Sequence, residues 1–563
     1  MSPAALRTQR ITLAGRRRTA LERARLRMTL VMAGFALITL VLGGRLTYLS
    51  LSSDAGADGY IAAAERGERA PIVDRNGADM ARSFQAFYLA VQPAKLVGDP
   101  EETARDIAAI LGERDPADIR AQLKSHGAWR YIQRRVQPED AVKLKAIGEP
   151  GLVIGREWER IYPNRTLAAH VLGFTDIDNI GRAGLERELD TRLSDPAHFS
   201  EPVQLAIDSR VQHVLVTALK AQMEKHSAIG AAGVVMDVRT GELLALTSLP
   251  VFDPNAAGRG TADSRFNRAT YGVYELGSTF KALTMAMALE SGVVSSMAQA
   301  YDARFPLKVG RFRIRDDHPK ARWMTVPEIF MYSSNIGTAQ IAQQIGAERQ
   351  QKYLRSLGML DRPHVELAER GRPLSPDNWG EISTMTISYG HGLAVSPLHV
   401  AAAYAAIVNG GIYHDPTLLK VDADETPAGR RVFSQETSDR MRELLRLVVT
   451  KGTGSKANAE GYRVGGKTGT AEKPKAGGYA RKSLVTNFAG FFPADDPRYV
   501  VVAMLDEPKG IKETWGFAGA GWTAAPVVGN VVTRIAPILG VDPSNEKDVD
   551  LGPLLAHVQG ASG

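Results

Sequence analysis

From Met28 to Gly44 the chain carries no charged residue and is dominated by Leu, Val, Met, Ala, Ile and Phe. Arg45 interrupts this run and Leu46-Thr47-Tyr48-Leu49-Ser50-Leu51 continues it. Taken to about Leu49, the stretch is long enough to cross a bilayer as one helix. In lipid every backbone polar group must find its partner within the segment, so a helix is the only form open to a single span. Arg45 would then snorkel to the far interface, with Tyr48 as an interfacial ring. Residues 1–27 hold eight arginines against one acid, Glu22, so that segment is +7, the whole net charge of the chain. Arginines before a span place the N-terminus in the cytoplasm and everything after residue 51 outside it. The high isoelectric point therefore belongs to one short tail, and no nucleic-acid partner is expected. The competing reading is a signal peptide cleaved at Ala55-Gly56-Ala57. A long basic region and an apolar stretch longer than a signal core favour an uncleaved anchor over residues 28–50. The chain has no cysteine, which removes disulfides, thiolate metal sites and thiol nucleophiles.

Residues 51–200 read as a separate α/β module. Ile72-Val73 leads into Asn76-Gly77, a strong hairpin turn, and Phe87 to Val91 reads as the next strand. Residues 101–148 look helical and charged, with Ile107, Ala108, Ile110 and Leu111 on the apolar side of one helix. No nucleophile–base pair occurs here, so a structural or partner-binding role is the favoured one. From 201 to 545 the pattern changes. Val203–Asp208, Ala232–Val238, Leu243–Leu249, Val464–Ala471, Phe488–Phe492 and Tyr499–Leu505 read as strands, Arg210–Lys225 as a helix. Residues after 278 read as largely helical to about 355. Strands at both ends of a helical middle define one α+β unit with an antiparallel sheet flanked by helices. Residues 546–563 read as a polar tail.

Three stretches of this second part carry chemistry. In Gly277-Ser278-Thr279-Phe280-Lys281 a serine precedes a lysine by three positions, followed by Ala282, Leu283, Met285, Ala286 and Leu289 at helical spacing. With Ser278 at or beside the N-cap, a helix would bring the Lys281 amine near the Ser278 hydroxyl. A serine is a weak nucleophile until a base takes its proton, and a desolvated lysine can be that base. The bland alternative is an N-cap followed by a solvated lysine; Ser544-Asn545-Glu546-Lys547 repeats the pattern in a polar context. Ser333-Ser334-Asn335 offers hydroxyls and an amide in a polar gap between helical segments. A loop with local side-chain bonds would look the same. Lys467-Thr468-Gly469-Thr470 lies in a strand and can present a cation, two hydroxyls and backbone N–H groups along one edge, where Gly469 would let a ligand backbone lie close. A solvent-exposed edge strand blunted by its lysine is the alternative.

Each motif is weak alone; the three in this order are not. Together they resemble the serine active-site set of penicillin-binding proteins and serine β-lactamases. With the anchor, the Arg66-Gly67 and Asp74-Arg75-Asn76-Gly77 signatures, and Tyr389-Gly390-His391-Gly392 with Ser396-Pro397, the chain resembles a class B penicillin-binding protein over nearly its whole length. The resemblance implies an elongated pedestal of the dimerisation type at 51–200 and a transpeptidase domain at 201–545. It implies that Ser278 attacks the penultimate D-alanine of a peptidoglycan stem peptide, Lys281 accepts its proton, and Ser333 passes that proton to the departing D-alanine. It further implies that Asn335 holds the donor peptide and orients Lys281. Lys467, Thr468, Gly469 and Thr470 would receive the terminal carboxylate, and the N–H groups of Ser278 and Thr470 would form an oxyanion hole. β-Lactams would acylate Ser278. No cofactor or metal is implied. The implied partners are a membrane-embedded septal glycosyltransferase and other division proteins, and the implied location is midcell in the inner membrane with the catalytic part in the periplasm.

Leu276 departs from the proline frequent at that position in the family, which leaves the turn looser and touches no chemical group. His391 and His399 read as structural. Asparagine at 335 resembles the division branch, an elongation-type enzyme being the alternative. A same-fold β-lactamase or D,D-carboxypeptidase is disfavoured by the anchor and pedestal. A penicillin sensor is disfavoured because residues 1–27 are too short for a signalling domain.

Overall fold

The computed structural model describes residues 25–45, 47, 68–112, 114–127, 129–422, 424, 428–475, 478–544 and 548–559. The basic tail before Arg25, Tyr48, Ala55-Gly56-Ala57, Arg66-Gly67 and Asn545-Glu546-Lys547 lie outside them. Helix α1, Arg25–Arg45, is free of charge from Met28 to Gly44, exposed along its length, and long enough to cross a membrane.

The chain divides into two compact units, one of residues 1–66 and 86–157, the other of 67–85 and 158–563. In the first, the helix Pro100–Leu111 starts on Asp99, whose carboxylate accepts from Glu101 N, and stops at Gly112 in the left-handed region (φ 68°). Ala104 and Ile107 of this helix pack with Leu89, Val91, Ile119, Leu123, Ile132 and Leu144. The stretch read as helical to 148 is broken by a strand, Arg130–Val136, antiparallel to Phe87–Val91. Its charged residues hide the alternation: only Ile132 and Val136 are buried, and Glu157 is held by Arg134 at 2.8 Å.

The second unit is built on a five-stranded antiparallel sheet. Helix α2 (Ser209–Lys225) precedes strands β1 (Gly230–Asp237) and β2 (Leu243–Leu249). Helix α3 (Phe280–Glu290) follows, then the hairpin β3 (Leu307–Val309) and β4 (Phe312–Ile314). Next come α4 (Val326–Met331), α5 (Asn335–Ile345), α6 (Pro397–Val408) and α7 (Gln435–Lys451). Strands β5 (Gly465–Lys475), β6 (Gly478–Phe492) and β7 (Tyr499–Asp506) and helix α8 (Ala524–Ile535) close the unit. The sheet order is β5-β6-β7-β1-β2. Strand alternation sorts its side chains. Val234, Met236, Val502 and Met504 face one core with Val400, Ala403 and Ile407 of α6. Val235, Val501 and Ala503 face another with Leu215 and Leu219 of α2 and Val528 and Val532 of α8. With both faces covered, β1 and β7 read as unbroken apolar runs.

Several readings are corrected. The strand expected at Val203–Asp208 is only Val203–Gln204, because Asp208 turns to cap α2, accepting from Arg210 N. The region after α3 is not continuous helix: β3 and β4 form a small hairpin, and Ala300–Asp302 and Trp323–Thr325 form an antiparallel pair on either side of it in the chain. Residues 548–559, expected as a polar tail, include a helix, Gly552–Leu555, with Leu554 fully buried and Gln559 N donating to Glu328 at 2.8 Å. Within 67–85 and 158–200, Arg69 and Arg160 close on the buried Glu186 at 2.9 and 2.6 Å. Asp74 closes the Asn76-Gly77 turn by accepting from Asn76 N and Ala78 N.

Candidate active site

Ser278 is not an N-cap. It sits inside a 3₁₀ turn, Gly277–Thr279, that runs straight into α3. Helix α3 is apolar on every side, and its residues from Phe280 to Ala288 are all buried, which makes it a central helix and not an amphipathic one. Lys281 is buried with it, 1 % exposed, so the solvated-lysine alternative fails.

Backbone holds the turn in place. A Cβ on Gly277 would come within 2.5 Å of Thr470 O, and one on Gly390 within 2.0 Å of Gly277 O. Gly390 adopts φ 88°, open only to glycine at low cost. A Cβ on Gly469 would lie 2.2 Å from Leu276 O, so this glycine is needed for the chain's own turn, where the sequence suggested room for a ligand backbone. The Leu276 carbonyl also accepts from Asn487 Nδ2 at 2.8 Å and Thr279 Oγ1 at 3.0 Å, and its side chain is buried. The turn is therefore fixed without the proline.

The Lys281 amine stands at the centre. It lies 3.0 Å from Ser278 Oγ, 2.6 Å from Ser333 O, 3.0 Å from Ser333 Oγ and 2.7 Å from Asn335 Oδ1. Asn335 cannot turn its amide round, because Nδ2 donates to Arg315 O at 2.9 Å. Ser333 adopts φ 60°, rare for serine, which carries Oγ to within 2.9 Å of the Lys467 amine as well. One hydroxyl thus bridges two lysines. Ser334 caps α5, accepting from Gly337 N at 3.0 Å and donating to Asp316 Oδ2 at 2.7 Å.

Burial pushes the Lys281 amine down to about 7, against the opposing pull of Asp316 and Asp317. Lys467 is pushed down too, by burial first and by the nearby Lys281 charge second. Lys467 is fully buried, and its amine also reaches Thr468 O at 3.2 Å. Lys467 and Lys281 lie behind the surface of a cavity of about 330 Å³, which is lined by Ser278, Ser333, Thr468 and Thr470 among others.

Sequence reasoning missed part of this lining. Thr453 Oγ1 lies 2.8 Å from Thr468 Oγ1, and Ala520 N donates to Thr470 Oγ1 at 3.0 Å. Asp316, Asp317, Phe517 and Trp522 also line the walls. The available signals were the Gly452-Thr453-Gly454 turn and an acid pair inside a basic stretch. Ser396 caps α6 and His399 completes the capping box, its Nδ1 meeting Ser396 Oγ at 2.7 Å, and burial pushes its imidazole down to about 4. The His391 ring lies tilted against Tyr389 and edge-on to Tyr479, and burial lowers its imidazole too.

A serine hydroxyl, a buried amine of lowered basicity and a second hydroxyl facing a polar cleft are the parts of a serine acyl-transfer site. Residues 231–532 match the penicillin-binding protein transpeptidase domain, and residues 63–197 the penicillin-binding protein dimerisation domain. The chain belongs to the penicillin-binding transpeptidase family. Within it, the chain is similar to the probable peptidoglycan D,D-transpeptidase FtsI of Caulobacter vibrioides, 39% identical across 93% of this chain and 90% of that one. Stage V sporulation protein D of Bacillus subtilis is 33% identical across 90% and 83%. Among solved structures, penicillin-binding protein 3 of Mycobacterium tuberculosis complexed with ampicillin superposes with a TM-score of 0.68 at 27% identity, covering 87% of this chain and 98% of that one. The same protein complexed with aztreonam gives 0.67 at 26%, covering 86% and 99%.

Proposed function

We propose that the protein is an FtsI-type peptidoglycan D,D-transpeptidase that cross-links stem peptides at the division septum and is acylated by β-lactams. The observation that carries this reading is the single amine contacting Ser278 Oγ, Ser333 and Asn335. A neutral amine has two N–H donors and one lone pair. Ser333 O and Asn335 Oδ1 can only accept, so they take both N–H groups. The lone pair is left for the Ser278 proton. The hydroxyl oxygen then attacks the carbonyl of the penultimate D-alanine while the proton passes to Lys281. Collapse expels the terminal D-alanine, whose amine takes the proton relayed through Ser333. An amine of a neighbouring stem peptide attacks the acyl-enzyme, restoring Ser278 and closing the cross-link. The terminal carboxylate is received by Thr468 and Thr470, which line the cleft, with Lys467 acting from behind through Thr468 and Ser333. The N–H groups of Ser278 and Thr470 serve the oxyanion.

On this reading α1 anchors the protein in the inner membrane with the catalytic unit in the periplasm, beside a membrane-embedded glycosyltransferase of the division machinery. Depleting the protein should block septation while growth continues, with the protein concentrated at midcell. Rounded cells with ordinary septa and a lateral-wall location would assign it to elongation.

Acylation should depend on the neutral form of Lys281. Its rate should fall about tenfold per pH unit below an apparent value near 7, as the amine gains its proton. Asn335→Asp should move that limb upward, since a carboxylate at 2.7 Å favours the ammonium and also faces Arg315 O with no donor. Penicillin acylation rates from pH 5 to 9 check both; an unshifted limb in the variant would place the titrating base elsewhere.

A further inference from the structure

From Asp302 to Trp323 the chain carries seven cations against three acids. Two of the cations have carboxylate partners, Arg304 with Asp302 at 2.8 Å and Arg322 with Glu328 at 2.7 Å. Lys308, Arg311, Arg313 and Arg315 are exposed and have no salt bridge among the described residues. In the β3–β4 hairpin Lys308 stands directly opposite Arg313. Like charges in that relation destabilise a strand pair. Nothing internal requires them: the other face of the hairpin, with Ile314 only 4 % exposed, does the packing. Phe305 and Trp323 lie exposed beside these cations, the Arg304 guanidinium 5.8 Å from the Trp323 ring, while Phe312, opposite Val309, is half exposed at the rim of the packing face with the Arg311 guanidinium 5.1 Å from its ring.

The patch is continuous with the active site. One residue beyond β4, Arg315 O holds Asn335, and the next residue, Asp316, binds Ser334 and lines the cleft.

We propose that the outward face of β3–β4 binds the carboxylates of a peptidoglycan strand beside the cleft, with the exposed rings offered to its sugars. The occupant follows from complementarity: uncompensated cations suit a polymer bearing a carboxylate-rich peptide on each repeat, and flat rings suit sugar faces. The inference rests on peptidoglycan being the substrate.

The test is sedimentation of the full chain in detergent with purified sacculi. Lys308→Glu with Arg313→Glu should bind about tenfold more weakly at low salt, the difference closing near ~0.5 M salt as screening takes over. Lys308→Arg with Arg313→Lys should bind as the parent does. Penicillin labelling of Ser278 should stay within about twofold in both. Undiminished binding by the charge-reversed protein would overturn the proposal. So would equal binding of the parent to sacculi whose carboxylates have been amidated with carbodiimide and ammonia. A loss of labelling alongside binding would make the hairpin structural. A loss confined to phosphatidylglycerol-containing micelles would assign the patch to the membrane surface. Failure of the transpeptidase reading would show differently, as absence of a penicillin adduct on the parent protein.

Discussion

Ser278→Ala should give a folded protein that gains no penicilloyl mass and cross-links stem peptides at least ~10³-fold more slowly. Among the described residues, Ser278 and Ser333 are the cleft-lining hydroxyls that meet the Lys281 amine, and Ser333 is shared with Lys467. Its removal deletes one hydrogen bond and no core volume, so the melting temperature should change little, a cost of about 1 kcal/mol. Intact mass after penicillin, followed by peptide mapping, checks the result. A penicilloyl adduct that survives the substitution, or that maps to Ser333, would relocate the nucleophile.

Lys281→Ala should be nearly as damaging to acylation, by at least ~10²-fold, because among the described residues no other base reaches Ser278 Oγ. Its effect on the fold should be larger. The side chain is buried inside α3, and both Ser333 O and Asn335 Oδ1 lose their donor. An acceptor left fully unpaired costs about 1–3 kcal/mol. These two are half-buried beside the cleft, so a loss of stability toward the lower end of that range, read as a fall in melting temperature, should accompany the loss of rate. Lys281→Arg should not rescue acylation, since a guanidinium stays protonated. Acylation of the alanine protein within about threefold of the parent would show that the base lies elsewhere.

The motifs were legible because their chemistry fixes residue types at short spacing, Ser278 with Lys281 and Ser333 with Asn335. The long apolar strands β1 and β7 were legible for a similar reason, since burial on both faces leaves an unbroken run. What the sequence hid were relations across the chain. Lys467 reads as a cation on an edge strand, and only the fold puts it behind Ser333. Thr453 joins the site through Thr468, fifteen residues away. Gly469 suggested space, and the space is filled by Leu276 O. The short strands between α3 and α4 escaped because three residues carry no period to read. Leu554 escaped because its apolar stretch, Leu551 to Ala556, is too short to show a helical period after the polar residues before it.

The lacing of the Ser278 turn by Gly277, Gly390, Gly469 and the Leu276 carbonyl has an evolutionary consequence. Contacts made by main chain offer selection nothing to trim: any side chain added at these glycines collides, and none is present to be shortened. A population under β-lactam pressure therefore has no graded route to a slower nucleophile through this turn, because a step there breaks the backbone that holds Ser278 for drug and stem peptide alike. Variation that lowers drug acylation yet spares cross-linking should accumulate where side chains line the cleft away from the turn, at Thr453, Phe517 and Trp522. Laboratory selection followed by sequencing would reveal such a division, with an untouched backbone cradle surrounded by a tolerant rim.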